Sequence, residues 1–86
     1  MSKVIIYTKT HCPYCEKAKA LLQIKKVAFE EINVDNDPKQ RDIMASLSQR
    51  KTVPQIFIND RPIGGFDDMK KLDDLGQLDP LLQTSA

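Results

Sequence analysis

The apolar run Val4-Ile5-Ile6-Tyr7 near the N-terminus constrains this chain most. Four β-favouring residues with no polar alternation read as a strand buried on both faces, which demands a covering layer on each side of a sheet. A polar loop, Thr8 to His11, leads out of the run, and from Pro13 the pattern turns helical. Tyr14, Ala18, Leu21 and Leu22 fall on one face, and Pro13 suits a first helical turn, where its missing N–H costs nothing. Ala28 to Val34 follows as a second strand, with Ile32 and Val34 pointing the same way. Strand, helix and strand within about thirty residues make a βαβ unit, so the two strands should be parallel.

Asp37-Pro38-Lys39-Gln40 reads as a second helix start, with Asp37 as N-cap, Pro38 at N1 and Gln40 closing a capping box. Ile43, Met44 and Leu47 supply that helix's expected buried face. Gln55 to Ile58 is a further strand, and Asn59-Asp60 tolerates the positive φ of a two-residue hairpin turn. Arg61-Pro62-Ile63 returns antiparallel, and Pro62 places that strand at the sheet edge. Gly64-Gly65 breaks the chain, Asp67-Asp68 opens a third helix with Met69, Leu72 and Leu75 inward, and Gly76 ends it. Asp79-Pro80 begins a last helical piece carrying Leu81 and Leu82. The expected class is α/β: a four-stranded mixed sheet flanked by helices, in the order βαβαββα.

At 86 residues the chain suits one domain spanning 1–86 and is too short for two; only the polar tail from Gln83 to Ala86 is expected to be disordered. Thirteen basic and twelve acidic residues are interspersed and sum to +1, so no basic face argues for nucleic acid. No apolar run is long enough for a bilayer, and the N-terminus lacks a signal peptide's apolar region. The expectation is a cytoplasmic protein with no membrane partner.

That compartment bears on the two cysteines, Cys12 and Cys15. A reducing cytosol and so short a loop make a structural staple unprofitable, leaving redox chemistry or metal. A zinc site wants four ligands, and His11, adjacent in sequence, is the one further candidate; redox is preferred and no metal is expected. Thiol–disulfide exchange needs one thiolate and a second sulfur to resolve the mixed disulfide. Cys12 precedes the helix, where its sulfur can face unsatisfied N–H groups and the positive end of the dipole. Cys15, one turn inside, should be buried and un-ionised. Cys12 is therefore expected to be the nucleophile and Cys15 the resolving thiol, with Lys9 and His11 adding modest positive potential. Tyr14 either packs the helix or walls a substrate groove.

Four blocks carry a resemblance over nearly the whole chain: Tyr7-Thr8-Lys9, Cys12-Pro13-Tyr14-Cys15, Thr52-Val53-Pro54 and Gly64-Gly65-Phe66-Asp67-Asp68. In this order and spacing they are similar to the small dithiol glutaredoxins of the thioredoxin fold, most of all to the bacterial glutaredoxin 3 type. The resemblance implies a thioredoxin-like fold with glutathione as reductant and co-substrate and no permanently bound cofactor. It implies that Thr52 and Val53 border the glutathione site, that the Val53 backbone pairs with the cysteinyl part of glutathione, and that Pro54 is cis. Gly64 and Gly65 would let the backbone pass close to the ligand. The helix N-terminus at Asp67 and Asp68 would receive the γ-glutamyl carboxylate and the Asp68 side chain the α-amino group, with capping as the main role of Asp67. Lys9 would pair with the glycyl carboxylate, with Gln40 or Arg41 alongside, and Arg50 and Lys51 are weaker candidates. Some bacterial relatives carry cysteine where Phe66 stands, so a regulatory thiol is absent at that position.

The expected activity is glutathione-dependent reduction of protein–glutathione mixed disulfides and protein disulfides by a monomer whose partners are glutathione and those proteins. Two alternatives stand beside it. One is an electron donor recharged by thioredoxin reductase; the other is an iron–sulfur cluster carrier, which Pro13 disfavours by analogy with the family.

Overall fold

The computed structural model describes residues 3–83. Its elements are β1 (Val4–Thr8), α1 (Pro13–Ile24), β2 (Glu30–Asn33), α2 (Pro38–Ser48), β3 (Gln55–Ile58), β4 (Arg61–Gly64), α3 (Phe66–Asp74) and α4 (Leu78–Gln83). The strands form one sheet in the order β2-β1-β3-β4. β1 pairs parallel with β2 and antiparallel with β3, and β4 pairs antiparallel with β3 at the edge, the position in a sheet that tolerates Pro62. This is the expected mixed sheet of the thioredoxin fold.

Strand periodicity divides the core in two. Val4 and Ile6 of β1 and Ile56 and Ile58 of β3 face one side, where Ala18, Leu22, Met69, Leu78 and Leu82 from α1, α3 and α4 cover them. Tyr7 and Phe57 face the other side, packed with Val34 and Met44, their rings edge to face with centroids 5.6 Å apart. On the α1 side, Lys25 ties the helices together by ion pairs of 2.6 Å to Asp73 and 2.9 Å to Asp79. The hairpin between β3 and β4 turns on Asn59 and Asp60, at φ 53° and 66°, the left-handed pair that a tight hairpin needs.

Several local expectations are corrected. Residues 28 and 29 and Val34 lie outside β2, although Val34 stays buried and its N–H donates to the Thr8 carbonyl at 2.9 Å. Asp37 does cap α2, accepting from the Gln40 N–H at 3.1 Å. Leu47 is 56 % exposed, because the helix turns only Met44 squarely inward and ends at left-handed Gln49. Leu75 is also exposed, since it is the C-cap of α3 and the stripe has rotated outward by then. Gly64 is the last residue of β4 and not a break; Gly65 is the N-cap of α3, which starts at Phe66. α4 starts at Leu78 and includes Gln83, so the expected disordered tail loses that residue, and its remaining positions lie outside the described residues. Among the described residues no helix is long and apolar enough to cross a membrane.

These burials separate two neighbours on α2 that sequence periodicity treats alike. Met44→Ala should lower stability by about 2–5 kcal/mol, because it hollows out the smaller core cluster. Leu47→Ala should stay within about 0.5 kcal/mol of the parent in urea unfolding. Equal losses at the two positions would contradict this packing.

Candidate active site

The parallel and antiparallel pairings bring the end of β1, the start of β3 and the N-termini of α1 and α3 to one end of the sheet. The loop leaving β1 is fastened there: the Thr10 N–H donates to Asp35 Oδ2 at 2.7 Å, and the buried Thr8 hydroxyl donates to Glu31 Oε2 at 2.7 Å. Those bonds lower the Asp35 and Glu31 carboxyls below their ordinary range, so both stay ionised acceptors. Lys19 joins α1 to the same cluster through Glu31 at 3.2 Å, and pairs within the helix with Glu16 at 2.6 Å.

Cys12 is the N-cap of α1, in extended conformation, and Pro13 opens the helix. The Cys12 sulfur accepts the backbone N–H of Cys15 at 3.2 Å, taking the place of the side-chain oxygen that usually caps a helix. The sulfur thus faces the N–H groups that the first turn of the helix leaves without an internal partner. Both thiols are free, and they differ in access: Cys12 is 8 % exposed and Cys15 has no exposed surface. Burial, followed by the interaction with Cys12, pushes the Cys15 thiol up to about 12. One sulfur therefore sits at the mouth of the site and the other lies protonated behind it. His11, at φ 58°, is an exposed loop residue. Among the described residues no group of three or more His, Cys, Asp or Glu is arranged to hold a metal.

A groove of about 290 Å³ is lined by Tyr14, Thr52, Val53, Pro54, Gly65, Asp67 and Asp68, so seven of the sequence-predicted residues meet in one place. Tyr14 lies between the cysteines in sequence and brings this groove to the reactive segment. Its ring is 53 % exposed and wall-like, not packed into the core, with Phe66 6.3 Å away and Lys17 5.0 Å above it. The Val53–Pro54 peptide bond is cis. Lys9 lies outside the groove in two adjoining hollows. One, of about 380 Å³, includes Cys12; the other, of about 280 Å³, adds Arg41 and Lys51 to Lys9, Thr52 and Val53, and makes a cationic corner. Gln40 is not among that corner's lining residues. A larger hollow of about 500 Å³ lies between β4, α3 and α4, but no residue of the cysteine segment lines it, whereas Tyr14 of that segment lines the smaller groove.

Asp68 serves two partners with one oxygen: Arg50 donates to Oδ2 at 2.7 Å and the Gly65 N–H at 2.9 Å. Capping thus belongs to Asp68, at N3, where Asp67 was expected to do it. The bond from Arg50, then that from Gly65, lowers the Asp68 carboxyl from its ordinary value. Gly64, at φ +113°, makes this approach feasible, since a Cβ there would stand 2.5 Å from Asp68 Oδ2.

Sequence reasoning missed Phe66 as a wall, Asp35 as the anchor of the reactive loop, and Gln55, which is buried beneath the groove. Only Asp35 had a usable signal, as an acidic residue closely following a strand that pairs with β1.

The geometry can be set beside known proteins. A family model described as glutaredoxin matches residues 4–63. The chain is 53 % identical over 83 residues to glutaredoxin 3 of Escherichia coli, covering 96 % of this chain and all of the relative. It is 48 % identical over 82 residues to a glutaredoxin of Pseudomonas aeruginosa, covering 95 % and 98 % of the two chains. Among solved structures, the Brucella melitensis glutaredoxin superposes with TM-score 0.84 at 50 % identity, over 95 % of this chain and 89 % of that one. The buckwheat glutaredoxin–glutathione complex superposes with TM-score 0.87 at 26 % identity, over 94 % and 76 %. A free thiol capping a helix start, a fully buried second thiol and a cis proline lining a groove with the intervening Tyr14 occur here in a chain with these relatives: it belongs to the glutaredoxin family, and its cysteine pair is that of a thiol–disulfide oxidoreductase.

Proposed function

We propose that the chain is a cytoplasmic, monomeric, glutathione-dependent reductase of protein–glutathione mixed disulfides and of protein disulfides. The observation that carries this reading is the groove from Tyr14 through Thr52, Val53 and Pro54 to Asp68, with a cationic corner at Lys9, Arg41 and Lys51. Glutathione is a short peptide with a carboxylate at each end and an ammonium group at one of them. The Val53 backbone ahead of cis Pro54 suits its middle, and the cationic corner suits its glycyl carboxylate. The N–H groups at the start of α3 suit the γ-glutamyl carboxylate, and Asp68 suits the ammonium. Asp68 retains acceptor capacity beyond Arg50 and Gly65. The glutathione in the buckwheat relative's complex supports glutathione as the ligand class.

The chemistry follows from the unequal sulfurs. Cys12 thiolate attacks the glutathione sulfur of a mixed disulfide; a Cys12–glutathione bond forms, and the client protein leaves as a thiolate that takes a proton from water. A second glutathione thiolate attacks that sulfur, forms glutathione disulfide and frees Cys12. With a protein disulfide, Cys12 is first joined to the client, and Cys15 then gives up its proton and displaces it, closing the Cys12–Cys15 disulfide. Two glutathiones supply the electron pair that reopens it.

In an assay coupled through glutathione reductase and NADPH, Cys15→Ser should keep activity on a glutathionylated substrate within about threefold and lose activity on protein disulfides. Cys12→Ser should fall to background on both. Equal loss in the two variants would refute the division of roles. Asp68→Asn should raise the KM for the mixed disulfide about 3–10-fold with little change in kcat, the scale of one charge-assisted hydrogen bond. Because the Asp68 carboxyl is lowered, its protonation needs acid below the ordinary carboxylate range of about 3.9. The parent-to-Asn ratio of KM should therefore be flat from about pH 5 to 8, and a ratio that collapses within that window would contradict the assignment.

A further inference from the structure

Gln55 opens β3 in register with Tyr7, beside the end of the strand from which the reactive loop departs. It occupies a fully buried strand among Ile56, Phe57 and Ile58, and is itself 1 % exposed. Its amide nitrogen donates to the Thr52 carbonyl at 2.9 Å and reaches the Thr52 hydroxyl at 3.2 Å. Its amide oxygen, Oε1, is buried with no hydrogen-bond partner among the described residues. Turning the amide over would set that oxygen against the Thr52 carbonyl, which can only accept, so this orientation is the one the loop dictates.

A buried carbonyl without a partner is destabilising, and an apolar side chain of the same length would fill the site without that cost. Stability therefore does not account for a glutamine here. What the amide does is hold both polar atoms of Thr52 from beneath. Thr52 and Val53 form the wall of the groove, and the segment around them carries no ladder bonds of its own. We infer that Gln55 is a positioning residue: its amide fixes the Thr52–Val53 backbone in the conformation that receives the substrate peptide, at the expense of an unpaired Oε1. The inference rests on the glutathione reading of the groove. Gln55 itself lines the groove, and the side-chain bonds through which it would act go to Thr52.

The test is a double-variant cycle on the full chain, with Gln55→Met, Thr52→Val and the pair, using a glutathionylated peptide as substrate. Gln55→Met should raise the KM about fivefold with kcat within about twofold, the scale of one or two lost hydrogen bonds. Its Tm should be equal to or above that of the parent, because the unpaired carbonyl is gone. The double variant should be no worse than Gln55→Met, since the Thr52 hydroxyl then has no donor to lose. Three results would each overturn the inference: an unchanged KM, a Gln55→Met protein that melts lower or does not fold, or penalties that multiply independently. A parent protein showing no saturable use of the glutathionylated peptide would instead overturn the glutathione reading itself.

Discussion

The first turn of a helix has backbone N–H groups with no partner inside the helix, and in α1 one of them, from Cys15, is satisfied by the Cys12 sulfur at 3.2 Å. Most of the molecule can be understood as the means of presenting that contact. The parallel pairing of β1 with β2 requires a crossover, and the crossover is α1, so its start must stand at the end of β1. Thr8, Thr10, Asp35 and Glu31 fasten the intervening loop, and Ala18 and Leu22 lock the helix to the sheet. Pro13 begins the helix where its lack of an N–H is harmless. The two cysteines then differ by one helical turn and by nearly everything that matters to a sulfur: one caps, the other is enclosed.

The groove beside the cysteine segment is built from a different part of the chain. The loop before β3 and the turn between β4 and α3 lie far from Cys12 in sequence, yet the antiparallel pairing of β3 with β1 returns them to the same end of the sheet. Each contributes exposed backbone more than chemistry. Gly64 admits Asp68 to the Gly65 N–H, and Gln55 holds Thr52 from below. The cationic corner of Lys9, Arg41 and Lys51 adjoins the groove at Thr52 and Val53, and the Asp68 carboxylate, paired with Arg50, lines the groove itself.

How much of this was legible in the sequence depended on the kind of signal. Val4 to Tyr7 and the β3 run were readable because a strand covered on both faces is apolar throughout, and the Asn59-Asp60 turn because few residues accept its φ values. The helix N-termini at Pro13 and Pro38 were readable because capping is local chemistry. Leu47 and Leu75 were misread because periodicity cannot tell where a helix leaves its neighbour, and both stand near helix ends. Tyr14 was placed on the apolar face of α1, but at the second helical position there is no further turn to cover it. The cis bond at Pro54 came from resemblance and not from any local preference. Gln55 gave no signal, since a lone polar residue at the start of a strand reads as its edge until the loop folded over it is known.

The central claim is that position alone divides the labour of two otherwise identical thiols. It is tested most directly by mixing the reduced protein with glutathione disulfide, quenching in acid within milliseconds and mapping the glutathione adduct by fragmentation. The account predicts an adduct on Cys12 that appears first and decays into the Cys12–Cys15 disulfide. An early adduct on Cys15, or adducts on both cysteines at equal rates, would contradict it.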